Sequence, residues 1–344
     1  MEKKRIEWID YTKGFGICMI MLAHVSQYFP VFGPIKDYIC SFHVVIFFMV
    51  SGYLASIKSG SPMDIKQRSK VLLIPYIVFS LINSGVKLGV LALQGGITGE
   101  IVRQELKELL FTGNGTVWFL LCLFFIETIF NMLCKVGINR SFILVCSILL
   151  MIAVYWRMTP KNVITIVLSR VVVGMGYYSI GYFLHKKSVK DVVPVMGAII
   201  LLLIGGIPEI LFGCQTDFFE GIFQYPIQSI VSAAATCSGY MFIFDKIEKS
   251  GKLINIRKFL NYFGRNSLIV MLIHPLLLQV VMYPFGNEVV ELQGIISVMV
   301  CTVIYVLLVI VEIPFIEIIN RYFPVILGRG RVSSDDKNHV QQNG

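Results

Sequence analysis

The sequence predicts an all-α, polytopic membrane protein with about ten transmembrane helices. Of its 344 residues, 56% are hydrophobic and only 15% are charged, and the mean hydropathy is +0.75. Soluble domains carry about 25% charged residues, so this composition is typical of a chain that faces lipid. The net charge of +9 comes without an arginine-rich stripe interleaved with aromatic residues, and nucleic acid is therefore not an expected partner.

Ten apolar runs approach the length of about 20 residues that a helix needs to cross a bilayer. They are residues 14–31, 38–57, 71–93, 117–135, 141–157, 163–184, 192–212, 225–244, 266–285 and 293–318. A membrane domain is thus expected over 1–327, followed by a disordered tail over 328–344, where the composition becomes polar.

The Lys and Arg residues orient these spans. With ten spans and an inner N-terminus, 22 of the 30 Lys and Arg fall in inner segments and five in outer ones. Because this asymmetry sets membrane orientation, both termini are predicted to be cytoplasmic.

Residues 10–24 open the first span and place ionisable groups on it. Eleven helical steps separate Lys13 from His24, which returns the two side chains to within roughly 20° of one face and about 16 Å apart along the axis. Asp10 begins the same stretch. An imidazole at membrane depth is costly and therefore indicates a functional site. The alternative is a structural His bonded to a neighbouring helix.

Further ionisable residues lie at a similar predicted depth. A rise of about 1.5 Å per residue places His24, His43 and Arg170 at one level in the outer half, with Glu127 somewhat deeper and able to balance Arg170. Buried ionisable groups pair or face a cavity, and this set supplies both signs. A structural polar network that holds helices together is the alternative.

Two other motifs indicate packing more than chemistry. Ser51 precedes Gly52 in the second span, and a Ser-Gly pair is typical of close helix contacts. His274 precedes Pro275, which frees a backbone carbonyl for a nearby donor. The eight cysteines include no Cys-x-x-Cys pair, so neither a metal site nor a disulfide framework is predicted.

Taken together, these residues resemble the acyltransferase 3 family of integral-membrane acyltransferases. The matching segments are, in order, Ile9–Gly14 with Lys13 and His24; Phe42-His43, Phe47-Phe48 and Ser51-Gly52-Tyr53; Trp118-Phe119-Leu120; Asn266-Ser267-Leu268 with His274-Pro275; and Glu312-Ile313-Pro314-Phe315. Each motif alone is weak, but five in register over residues 5 to 320 are specific. Lys13 stands where many members have Arg, which removes a guanidinium fork but keeps a charge for phosphate.

The resemblance implies transfer of an acyl group, usually acetyl, from cytoplasmic acyl-CoA to a hydroxyl of a surface glycan or its lipid-linked precursor. Acyl-CoA is then a co-substrate, with no permanently bound cofactor, and the location is a bacterial plasma membrane. Burial disfavours a charged imidazole, so His24 is expected to act as general base.

The other site residues receive roles from the same expectation. His43 is a second catalytic candidate, Arg170 is expected to stabilise an oxyanion or hold a glycan charge, and Lys13 is expected to bind the CoA phosphates. Supporting roles are expected for Asp10, Ser51, Glu127 and His274.

Two hypotheses from other classes remain open. The same buried charges are compatible with a transporter or exporter of a glycan or small anion, although no inverted repeat with paired broken helices is evident. A membrane-embedded sensor or scaffold is the third reading, and it would tolerate the loss of both Lys13 and His24.

Overall fold

The computed structural model describes residues 5–58, 63–93, 95–157, 162–213, 216–285 and 292–329. Helices make up 85% of the structure, which confirms the predicted helical class. The helices are α1 (Glu7–Ser26), α2 (Gly33–Phe42), α3 (Val45–Ile57), α4 (Ile65–Leu93), α5 (Gly99–Lys107), α6 (Trp118–Lys135), α7 (Arg140–Arg157), α8 (Val163–Lys186), α9 (Val189–Val192), α10 (Val195–Phe212), α11 (Pro226–Ser250), α12 (Ile254–Arg265), α13 (Ser267–Met282) and α14 (Gly294–Tyr322). Two short strands, β1 (Thr216–Asp217) and β2 (Ile222–Phe223), pair as an antiparallel hairpin.

Eight of the helical stretches in the described ranges are long and apolar enough to cross a membrane. The predicted count of ten is therefore not confirmed. Two of the expected spans are not among these eight. The first corresponds to α1, which carries Asp10 and Lys13 among its 20 residues. The fifth corresponds to a shorter apolar helix over Arg140–Trp156. The predicted orientation of the termini remains a prediction.

The first two spans differ from their predicted bounds. Helix α1 begins at Glu7 rather than at residue 14, because the charged side chains of its first turns find partners in the folded chain. The second span is divided into α2 and α3 at His43. The His43 ring donates from Nδ1 to the Ile39 carbonyl oxygen at 2.9 Å, and this satisfies a carbonyl at the end of α2.

Glycines bring two pairs of helices into backbone contact. A Cβ added to Gly52 on α3 would lie 1.9 Å from the Tyr178 carbonyl oxygen on α8. A Cβ added to Gly264 on α12 would lie 1.8 Å from the Asp10 carbonyl oxygen on α1. These contacts fix α1 and α3 against their neighbours, as small residues do at close helix crossings.

One end of the bundle, the basic end, collects the termini of many helices. It holds Arg5, the start of α4, the end of α11, helix α12 and the end of α14, joined by contacts of Trp8 with Glu248 and of Gly328 with Lys70. At this end the chain after α14 forms a 3-10 turn over Pro324–Leu327, in which Leu327 is fully buried. Most of the expected tail 328–344 lies outside the described residues.

Candidate functional site

Three histidines from different parts of the sequence meet inside the bundle. His24 lies in the last turn of α1, His43 at the break between α2 and α3, and His274 on α13. The His24 and His274 rings meet edge to face, with centroids 5.0 Å apart and an interplanar angle of 88°. His43 lies at the junction of α2 and α3, both of which pack against α1, and it is electrostatically coupled to both rings. These three residues are the histidine cluster.

Backbone carbonyls fix the tautomers of two members of the cluster. The Nδ1 atom of His274 lies 2.8 Å from the Val270 carbonyl oxygen, and that of His43 lies 2.9 Å from the Ile39 carbonyl oxygen. A carbonyl oxygen only accepts, so Nδ1 carries the hydrogen in both rings, and Nε2 of each neutral ring keeps a free lone pair. Within the described chain, Nε2 of the fully buried His274 has no hydrogen-bond partner.

The His24 ring is the least constrained of the three. It is partly exposed, whereas His274 is fully buried. No hydrogen bond to either ring nitrogen of His24 is found among residues that the structure describes, and its defined ring contact is with His274. No three His, Cys, Asp or Glu side chains in the described ranges are placed to hold a metal ion. Neutral imidazoles with free lone pairs are suited to accept protons.

Asp10 organises the other end of α1. This buried carboxylate accepts from Arg5 Nε at 2.5 Å and binds Lys13 Nζ at 2.8 Å. The hydrogen bond to Asp10 raises the pKa of the Arg5 guanidinium above its ordinary value, against an opposing effect of desolvation. The expected Lys13 and Asp10 thus lie together. Arg5 was not predicted as a partner of Asp10, because its position just before the helix gives no sign of this contact.

Glu127 does not balance Arg170, and this expectation was wrong. Both oxygens of Glu127 on α6 bind the guanidinium of Arg68 at the start of α4, with Nη2 to Oε1 at 2.5 Å. Spacing along the chain estimates depth but not which face of a neighbouring helix a side chain meets. Arg68 was missed because it lies among solvent-exposed cations at the start of its helix.

Arg170 joins two loops at the end of the bundle opposite the basic end. Its Nε donates to the Phe218 carbonyl oxygen at 2.8 Å, its Nη1 donates to that of Thr112 at 2.9 Å, and its Nη2 donates to that of Phe219. Its guanidinium also lies 4.9 Å from the Trp118 ring centroid. Because each of its nitrogens donates to a backbone carbonyl, Arg170 is placed as an anchor of the 216–223 hairpin. Its expected role at an oxyanion stays a prediction.

The remaining expected residues have packing roles or an unexplained environment. Ser51 lies beside Gly52, and the close approach of Gly52 to Tyr178 agrees with the packing interpretation. Glu312 on α14 is fully buried, and neither carboxyl oxygen has a hydrogen-bond partner in the part of the chain described. The sequence signal for Glu312 was a carboxylate within a long apolar run, but the family resemblance gave this residue no role.

Two cavities lie away from the histidine cluster. One, of about 570 Å³, is at the basic end and is lined by Arg5, Trp8, Tyr53, His185 and Lys190 among others. The other, of about 700 Å³, is an apolar groove between α7 and the start of α11, lined by Trp156, Tyr225 and Ile227 among others. No histidine of the cluster is among the described lining residues of either cavity.

Comparison with known proteins gives one finding. A family model described as an acyltransferase domain matches residues 6–313, which is essentially the whole chain. No curated protein and no solved structure gives a significant match. The matched range includes α1, the histidine cluster and Glu312. The chain therefore belongs to the acyltransferase 3 family, and its apolar helices make it a multi-pass membrane protein of that family.

Proposed function

We propose that this protein, located in the cell membrane, transfers an acyl group from acyl-CoA to a hydroxyl of a cell-surface polysaccharide or its lipid-linked precursor. The acyl group that we expect is acetyl. The observation that carries the proposal is the histidine cluster, where imidazole nitrogens with free lone pairs lie inside a helical bundle of an acyltransferase family. A buried neutral imidazole can accept a proton from a hydroxyl, and general-base catalysis of this kind contributes about 10²–10⁴-fold in rate.

His24 is the best placed of the three to be the base. The His43 and His274 rings are tied through Nδ1 to their own helices, whereas that of His24 is free of such bonds within the described residues. A substrate hydroxyl needs direct access to the base, and His274 is fully buried. His274 therefore supports His24 by its edge contact, and His43 contributes a further polar group beside them.

The chemical step follows from these roles. A ring nitrogen of His24 takes the proton of the acceptor hydroxyl while the oxygen attacks the thioester carbonyl carbon. The tetrahedral intermediate then collapses, the carbon–sulfur bond breaks, and the imidazolium returns the proton to the leaving thiolate of CoA. The products are the ester and free CoA, and His24 is again neutral.

The opposite end of α1 suits the donor. Lys13 and Arg5 flank Asp10 at the basic end, and Lys13 is about 16 Å from His24 along the helix axis. Phosphates bound there would leave the pantetheine arm to reach along α1 toward the histidine cluster. The predicted cytoplasmic position of the basic end agrees with a cytoplasmic donor.

NMR of the cell-surface polysaccharide, with and without the gene, tests the proposal and reads the acyl type, the sugar and the position together. Loss of ester-linked acyl groups on deletion, restored by the wild-type gene but not by His24→Ala at equal membrane abundance, is the expected result. Unchanged acylation on deletion would contradict the proposed acceptor. Full restoration by His24→Ala would contradict the assigned base.

A further inference from the structure

Helix α12 lies across the basic end, in contact with the first turn of α1. Just before α12, Glu248 accepts a hydrogen bond from the Trp8 amide at 3.2 Å. Near the end of α12, a Cβ added to Gly264 would lie 1.8 Å from the Asp10 carbonyl oxygen. The 12 residues of α12 span about 18 Å, yet both contacts fall within one turn of α1. Helix α12 therefore crosses α1 at the basic end and does not run beside it.

One side of α12 presents partly exposed apolar side chains. Ile256 and Phe259 lie three residues apart and thus on one side of the helix, and Leu253 immediately precedes it. All three are between 42% and 52% exposed. The Phe259 ring also packs against that of the buried Phe263, with centroids 4.8 Å apart. The apolar side of α12 therefore continues from the core of the bundle to its outer surface.

Positive charge lies on another face of α12. Lys258 and Arg265 are exposed, and their spacing of seven residues places both on one face, about 10 Å apart along the axis. Helix α12 contains no acidic residue. Of the nearby carboxylates, Glu7 binds Arg257, and Glu317 accepts from a tyrosine of α12. Neither Lys258 nor Arg265 forms a salt bridge with a residue that the structure describes, so this face keeps two positive charges without a bonded counter-ion there.

We propose that α12 is a binding surface for anionic phospholipids, with Lys258 and Arg265 at the headgroup phosphates and Ile256 and Phe259 among the upper acyl chains. An amphipathic helix of this kind binds at the membrane interface through buried apolar area together with electrostatic attraction to anionic lipids. A soluble anion would satisfy only the cations and leave the apolar side chains in water, so the combination favours a lipid. This inference goes beyond the proposed acyl transfer and does not depend on it.

The test compares the melting temperature of the full-length protein in nanodiscs of phosphatidylcholine with and without phosphatidylglycerol. The wild-type protein is expected to melt at a higher temperature with phosphatidylglycerol, because a ligand of the folded state stabilises it. Lys258→Gln/Arg265→Gln is expected to lose most of this rise, because each cation near an anionic surface contributes about 5-fold in binding. Lys186→Gln/Lys187→Gln removes two exposed lysines at the end of α8 and is the matched control, which is expected to keep the wild-type rise.

Salt and a soluble analogue complete the test on the wild-type protein. At about 1 M salt the Debye length falls to about 3 Å, so the rise in melting temperature is expected to shrink. Glycerol phosphate, which carries the headgroup charge without acyl chains, is expected to leave the melting temperature in phosphatidylcholine unchanged. No wild-type rise, a rise insensitive to salt, a full rise in the α12 variant or an equal loss in the control variant would overturn the surface. A rise produced by glycerol phosphate alone would also overturn it, since the ligand would then be a free phosphate.

Discussion

Arg170 and the histidine cluster both place ionisable side chains inside the bundle, but their hydrogen-bonding groups are used differently. Arg170 donates to three backbone carbonyls from two loops and lies against the Trp118 ring. In the cluster, Nδ1 of His43 and of His274 is bonded to the chain, while Nε2 of His274 is buried without a partner in the described ranges. Each nitrogen of the Arg170 guanidinium donates to a backbone carbonyl, whereas the histidine cluster keeps a lone pair without a donor among the described residues.

At these two sites, the difference in hydrogen bonding agrees with a structural role for Arg170 and a chemical role for the histidine cluster. A buried group that donates to several backbone carbonyls stabilises the loops that it joins, and the main cost of its substitution is that those carbonyls lose their donor. A buried lone pair costs free energy in the folded state and is tolerated where the chemistry needs it. Substitution of Arg170 is therefore expected to lower stability, whereas substitution in the histidine cluster is expected mainly to lower the rate of the reaction.

The largest effect on stability is expected at Arg170. Arg170→Met should lower the free energy of unfolding by about 3–5 kcal/mol, because it leaves three carbonyl oxygens without their donor. The apparent melting temperature of the detergent-solubilised protein measures this. Arg103→Met, on the exposed surface of α5, is the control and should change stability little. Equal melting temperatures for both variants would show that Arg170 is not a structural anchor.

A smaller loss is expected at the contact between α1 and α12. Gly264→Ala places a methyl group 1.8 Å from the Asp10 carbonyl oxygen, so the helices must separate, at a cost of about 1–3 kcal/mol. Gly89→Ala on α4 meets no atom within 4 Å and serves as control. Thermal unfolding of the two variants compares them. A Gly264→Ala protein as stable as the control would show that the two helices are not in close backbone contact.

The smallest effect on stability is expected at His274, where the effect on rate is the informative one. An Asn side chain can donate to the Val270 carbonyl as Nδ1 does, so His274→Asn should cost less than about 1 kcal/mol. It removes the Nε2 lone pair beside His24, and kcat should fall about 10-fold. Wild-type kcat at wild-type stability would assign His274 to packing alone.

The class of the fold and the approximate helix positions could be predicted from the sequence, because apolar length depends on local sequence. The sequence also placed His24 and His43 at one depth, but it grouped them with Arg170 and interpreted His274 as a packing residue.

The sequence did not show which side chains bind each other. Glu127 was assigned to Arg170 by depth, but the rotation of α6 directs it to Arg68. The first span was placed at 14–31 by apolar length, yet α1 begins at Glu7, and Arg5 and Lys13 bind the Asp10 carboxylate in its first turns.

The sequence also could not show which nitrogen of the His43 and His274 rings carries the hydrogen. Which imidazole nitrogen carries the hydrogen depends on a carbonyl within hydrogen-bond reach, and only the folded chain shows that Nδ1 of His43 meets the Ile39 carbonyl and that of His274 meets the Val270 carbonyl. The close approach of Gly328 to Lys70 depends on the chain returning to α4 after α14, a tertiary contact with no local pattern.

The most direct test of the central claim is turnover by purified His24→Ala in liposomes, measured as thiol released from acetyl-CoA in the presence of the acceptor glycan. We expect kcat to fall by about 10²–10⁴-fold, with an unchanged melting temperature and an unchanged KM for the donor. Turnover within about twofold of wild type, at the same folded fraction, would contradict the assignment of His24 as the base.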